Sequence, residues 1–322
     1  MKRFAAVITL AFLSPLIAEY LSGSMSFAQV AAMPTTLAMY GGGAVLIREL
    51  VRRTGRGWFS ILLLGLAYAL VEEGIADQSL FNPNFGGLRL LDPGFLPMLG
   101  IGVPWTIYVL AIHAIWSIAV PIALAECLFP SIRNVPWTGS AGVVIAALLY
   151  GVGVAAITSY FAKTFFASLT QIAASAIGIA VLAALAFAPL HVPSKRAGPA
   201  PRPWIVGLAS LISTSAFVQL YGLGVRLWPW QAVTGGLILL LVLMLLFTFR
   251  VGGCSGWKPA HTTAMASGAL LTYCWTGFAT EIALHGPAML WAHAVLAAVM
   301  VALMAFAGIK VRSAPGDNGK KA

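Results

Sequence analysis

Charge is what this chain has least of. Asp, Glu, Lys and Arg make up 9% of its 322 residues, where a soluble domain carries about 25%. That excludes a water-soluble globule, because too little polar surface is available to cover the apolar remainder. Cysteine is almost as scarce. Cys127, Cys254 and Cys274 form no CxxC pair, so neither a disulfide framework nor a thiolate metal site is expected, and the three read as small packing residues. Nucleotide, flavin and heme fingerprints are missing. Thr54-Gly55-Arg56-Gly57 is too short for a phosphate loop. Internal sequence repeats are lacking too.

What the chain does have is long apolar runs. Hydrophobic residues account for 60% of it, with a mean hydropathy of +0.92. A helix needs about 20 mostly apolar residues to cross the hydrocarbon core. On that criterion the sequence predicts an all-α polytopic transmembrane bundle of about ten spans, at 4–21, 30–51, 58–77, 105–128, 138–160, 166–189, 204–222, 230–250, 261–283 and 287–309. Gly41-Gly42-Gly43 lies in the middle of the second span, where glycines permit close packing of helices. The first run, after Lys2 and Arg3, also has features of a signal peptide. Pro15, Glu19 and Tyr20 interrupt it, and it reads as a retained span.

The basic residues set the orientation. With both termini cytoplasmic, sixteen Lys and Arg fall inside and only Arg89, Lys163 and Arg226 outside. The net charge of +10 is therefore a topology signal, not a nucleic-acid-binding face. The expected surroundings are the lipid bilayer, as a multi-pass protein of the cell (inner or plasma) membrane. Arg48, Arg52, Arg53 and Arg56 make the inner end of the second span basic, which suits topology and anionic headgroups. Trp58, Trp105, Trp137, Trp204, Trp228, Trp230 and Trp257 stand at span ends, several directly after proline, and read as interfacial anchors.

Residues 1–312 are expected to form a single transmembrane domain. A basic, Pro-rich inner loop at 191–203 suggests a hinge between halves 1–190 and 204–312. The outer loop 78–103 alternates turn and apolar residues, the pattern of an ordered cap. The tail 313–322 is polar and expected to be disordered.

Ionisable residues within spans are the strongest functional signal, because burying them is costly. Five carboxylates and three histidines fall in the outer half, among them Glu19, Glu72, Glu73, Asp77, His113, Glu281, His285 and His293. Glu73 and Asp77 are four residues apart, as are Glu281 and His285, so each pair shares a helical face. A carboxylate and an imidazole at that spacing can ligate one metal ion or pass a proton. If the third, fourth and ninth spans meet, Glu72, Glu73, Asp77, His113, Glu281 and His285 are the candidates for a substrate or proton path. No cofactor is required by the sequence, and a divalent metal at this cluster is the one it could accommodate. Glu19, Asp77, Glu281 and His285 lie close enough to the interface to be hydrated, and for the deeper Glu72, Glu73 and His113 interhelical hydrogen bonding is the plain alternative to function. In the seventh span, Ser210, Ser213, Thr214, Ser215 and Gln219 form a polar stripe of the kind that packs helices.

Glu72-Glu73 followed by His113 on the next span resembles, in outline, the CPBP family of glutamate-type intramembrane proteases. The resemblance implies a pair of glutamates and later histidines that activate water for peptide hydrolysis. It covers only these few residues, and the chain departs from the family pattern. Asp77 stands in place of the arginine of EExxxR, and Val109 in place of the phenylalanine of FxxxH. Met289 and Ala297 follow His285 and His293 where an asparagine is required. Three readings stay open: a small-solute transporter or permease, favoured by ten spans with inner termini; a non-enzymatic assembly or sensor protein; and a membrane-embedded metal-dependent hydrolase.

Overall fold

A computed structural model of the protein describes residues 1–189 and 197–313. Ten long helices follow the apolar runs: α1 (Lys2–Leu21), α2 (Phe27–Arg53), α3 (Trp58–Ala76), α4 (Val103–Leu128), α5 (Ser140–Phe161), α6 (Leu169–Phe187), α7 (Pro203–Gly222), α8 (Trp230–Gly252), α9 (Pro259–His285) and α10 (Leu290–Ser313). Among the described residues, nine of these are long and apolar enough to span a bilayer. The other, α9, has 27 residues but is diluted by Thr262, Thr263, Thr272, Thr276 and Thr280. Its partners explain the dilution. Thr272 pairs with Thr214 of α7 at 2.7 Å, and Ser210 donates to the Met265 carbonyl at 2.8 Å. The polar stripe of the seventh span is thus spent largely on holding α7 against α9.

The core is built on α1–α4 with α9 and α10. Ala6, Leu10 and Ile17 of α1, Trp116, Ile118 and Ile122 of α4, and Leu270 of α9 are fully buried there. Trp116 stacks on Tyr273 at 4.5 Å between ring centroids and donates to the Ala269 carbonyl. Helices α5, α6 and α8 instead present Val144, Leu148, Ile177, Leu239 and Leu243 outward, as helices facing lipid do. The glycine triplet serves contact. A methyl group at Gly41 would lie 2.5 Å from the Ala11 carbonyl oxygen of α1, and one at Gly42 would lie 2.9 Å from the Tyr150 nitrogen of α5. The second helix therefore passes close to neighbours on two sides.

The basic C-terminal end of α2 is only partly a surface. Arg48 is wholly buried, with Glu49 at 2.6 Å and Glu126 at 3.2 Å, and its guanidinium lies 3.5 Å from the Trp137 ring centre. Arg52 grips both oxygens of Glu126 at 2.7 Å. Glu49 in turn accepts the backbone N–H groups of Trp137 and Thr138. Arg53 reaches the Thr138 carbonyl, and Arg56 those of Phe187 and Ala188. Arg48 thus pins the 129–138 connection instead of meeting headgroups, and Trp137 is an interior residue instead of an anchor. A wholly buried guanidinium needs charged partners on both sides, and α4 and α2 supply them.

The loop 78–103, expected on the outer side, forms a structured lid. Strands β1 (Phe95–Leu96) and β2 (Ile101–Gly102) pair antiparallel, and Leu80 and Leu91 are buried beneath. Gln78 turns the chain over the end of α3 with φ of 63°, a left-handed conformation suited to a helix exit. Its side-chain oxygen accepts the Ala167 N–H at 2.6 Å. Six residues of the hinge expected at 191–203 fall on 191–196, and all but Ser313 of the tail expected to be disordered at 313–322 falls on 314–322. Both lie outside the described residues.

Candidate functional site

Four helices change pitch at one place. α-Helical hydrogen bonding gives way to π turns at Leu16–Leu21 in α1, Leu37–Gly41 in α2, Glu72–Ala76 in α3 and His113–Ala119 in α4. Such turns are rare, occur mostly singly and collect at functional sites. Each carries a polar residue that the arrangement brings inward: Glu19, Tyr40, Glu72 with Glu73, and His113 with Ser117. Pro121 shows how the sequence produces one of them. It lacks the N–H that would bond the Ser117 carbonyl four residues back. The Ser14 hydroxyl of α1 takes that carbonyl at 2.6 Å and lies 3.1 Å from the carbonyl of Tyr40. One buried serine, with a single proton to donate, therefore lies between carbonyls of two adjoining π turns.

The cluster is tightly defined. Glu72, Glu73 and His113 are buried, and one ligand atom from each lies within 4.8 Å of the others. His113 Nε2 is 2.6 Å from Glu73 Oε1. Its Nδ1 is 2.9 Å from both Ser117 Oγ and Glu72 Oε2. Of these two contacts, the Ser117 one has hydrogen-bond geometry, and Glu72 Oε2 is left without a hydrogen bond. Tyr40 lies with its hydroxyl between Glu72 and Glu19. The Trp105 indole donates to Ser79 Oγ at 3.1 Å, and Ser79 donates to Glu73. Trp105 is therefore a roof over the site as well as a boundary residue. Tyr68 closes one side, its ring stacked on Tyr150 and near Tyr40 and His113, with its buried hydroxyl unpartnered.

Electrostatics decide what such a site must contain. Glu19, Glu72 and Glu73 carry up to three negative charges, and among the described residues no arginine or lysine forms an ion pair with them. Two like charges about 5 Å apart repel by roughly 3 kcal/mol even at an effective dielectric of about 20. The Tyr40 hydroxyl has one proton and serves one carboxylate at a time. The cluster therefore holds extra protons, a cation, or both. Its donor set, one imidazole and two carboxylates, suits a divalent ion and leaves coordination positions open.

The other candidates lie elsewhere. Asp77 is half-buried and caps the loop, accepting the Ser79 N–H at 3.0 Å. Glu281 accepts from Ser26 at 2.6 Å, and His285 contacts the Ser24 carbonyl at 2.9 Å. Their shared face on α9 thus fastens the connection between α1 and α2, and it does not join Glu73 and His113. His293 is buried against Phe278 with neither ring nitrogen hydrogen-bonded. Glu19 and Tyr40 escaped the candidate set. Glu19 sits near the end of its span and reads as hydrated, and nothing in the sequence marks Tyr40. Prolines inside spans, Pro15 and Pro121, were the available signal.

No curated protein matches the chain, and no solved structure does. Residues 8–315 match a family described as an uncharacterized membrane protein family. The match begins within α1 and takes in the other nine helices whole, with the cluster on α1–α4 inside it. This chain is a multi-pass membrane protein belonging to that uncharacterized membrane protein family.

Proposed function

We propose that the protein is a membrane-embedded hydrolase whose Glu72, Glu73 and His113 hold a divalent cation. One observation carries this reading: three buried ligand atoms of metal-binding type lie within 4.8 Å, with Glu72 Oε2 lacking a hydrogen-bond partner. A bound divalent ion would supply a water acidified to near neutrality and a Lewis acid. The chain's own groups then have distinct tasks. Ser117 fixes the orientation of the His113 ring from the Nδ1 side. Ser79, held by Trp105, keeps Glu73 in place. Glu19 and Tyr40 can take up and return a proton beside Glu72. The resemblance to glutamate-type proteases supports water activation by this trio. It extends no further, since His285 and His293 stand outside the cluster. On the sixteen-to-three charge bias, the site belongs to the outer half of the cell membrane.

Metal analysis of purified protein tests the proposal. Wild type should carry about one divalent ion per chain, and Glu73→Gln and His113→Ala should carry none while eluting as folded protein. Wild type that stays metal-free after dialysis against zinc or manganese overturns it. A second reading, a proton-linked small-solute permease, is favoured by the chain of contacts Glu19–Tyr40–Glu72–His113–Glu73. Such a chain would move protons without metal. Proton uptake by metal-free proteoliposomes, lost in Glu72→Gln, would select it.

A further inference from the structure

A second feature opens at the basic end of the molecule and runs inward as far as the π turn of α4. Between α3, α4, α7, α8 and α9 a cavity of about 1630 Å³ opens toward the basic face. Ligand pockets for compact molecules run to about 300–1,000 Å³, so this one is sized for something longer. Along α8 its lining runs from Leu240 to Gly253, a depth of about 20 Å at helical rise. Its two ends differ in chemistry. The upper walls are aliphatic, from Ala119 and Ala123 of α4 to Leu241 and Met244 of α8. The mouth carries Arg52, Arg56, Arg133, Arg250 and Lys258. Among the described residues Glu126 is the one carboxylate in the lining, and both its oxygens are occupied by Arg52. The mouth is therefore net positive. Arg250 and Lys258 are exposed there, and Trp58 and Trp257 flank it as indoles do at headgroup level.

An apolar slot some 20 Å deep beneath a cationic mouth is complementary to one kind of molecule. We propose that this cavity is a binding site for an anionic phospholipid, with its phosphate at Arg250 and Lys258 and an acyl chain along α8. Basic pockets between membrane helices bind anionic headgroups in this way. Zwitterionic lipid fits the slot equally well but gains nothing from the mouth, and free phosphate gains nothing from the slot. The cavity reaches Ile115 and Ala119 of the π turn that carries His113, but its lining includes none of Glu19, Tyr40, Glu72, Glu73 and His113.

Binding of dioleoyl phosphatidylglycerol to the purified full-length protein, read by native mass spectrometry and by thermal shift, is the test. Phosphatidylglycerol should bind at least tenfold tighter than phosphatidylcholine of the same chains. Arg250→Gln with Lys258→Gln, both at exposed positions, should reduce that preference on the order of tenfold, since each basic residue near a charged surface contributes a few-fold. Ser213→Phe, which fills the slot from α7 and spares the mouth, should abolish binding of both lipids. Equal binding of the two lipids to wild type, an unaltered preference in the double variant, or full competition by inorganic phosphate would each overturn the proposal.

Discussion

Ser117 shows how much one hydroxyl can do in a site with so few donors. It stands 2.9 Å from His113 Nδ1 and so chooses the ring's orientation toward Glu73. Losing such a supporting partner commonly costs ten- to a hundredfold in metal affinity. Ser117→Ala should therefore weaken the binding of a divalent ion by about that factor while leaving the fold intact, as measured by competition with a chromophoric chelator. Arg48 is the counterpart at the other end. Its side chain is wholly buried with Glu49, and removing one partner of a buried pair costs about 3–5 kcal/mol. Glu49→Ala also strands the N–H groups of Trp137 and Thr138. It should lower the thermal midpoint in detergent sharply, and Arg89→Ala at the exposed Asp92 pair should change it little.

Helices α1 to α4 depart from α-helical pitch where their polar residues meet, and the departures support one another. Pro121 frees the Ser117 carbonyl, and Ser14 on the neighbouring helix takes it. Restoring the missing N–H with Pro121→Ala offers the carbonyl its ordinary partner and removes the reason for the wide turn. We expect divalent-ion binding to fall by at least tenfold in that variant with little loss of thermal stability. A fall in both together would mean the turn is a packing device alone. The approach of α1 to α2 is a separate matter of volume. Gly41→Val places side-chain atoms against the Ala11 carbonyl, and overpacking of this kind costs about 1–3 kcal/mol. It should appear as a lower midpoint in thermal or denaturant unfolding.

Across the whole molecule, the two proposed sites lie toward opposite faces. One face is closed by an ordered loop fastened to the cluster through Trp105, Ser79 and Glu73. The other face is basic and open. The orientation expected from the distribution of Lys and Arg, with the loop face outside, is open to a direct check. In a background with Cys254 replaced, Met98→Cys should react with an impermeant maleimide in intact cells, because Met98 is 93% exposed at the tip of the outer hairpin. Lys258→Cys should react only after permeabilisation. The reverse pattern would invert the topology and move both sites to opposite compartments.

The membrane-spanning character and the approximate extent of each helix were legible because they depend on local composition. A stretch such as 230–252 is apolar enough to choose the bilayer whatever surrounds it. The weight of Glu72, Glu73 and His113 was also legible, since a buried charge is costly wherever it lies. Which of the polar residues share a site was not. Glu281 and His285 have the spacing of a ligand pair, yet α9 turns them toward Ser26 and Ser24. Glu19 looks hydrated in its own helix, yet Tyr40 joins it to Glu72. Spacing along one helix settles which face a residue occupies, but the neighbour of that face is set by packing between helices distant in sequence. Here that packing rests on the close approaches at Gly41 and Gly42 and on a proline in α4, and only the assembled bundle turns these into one buried cluster.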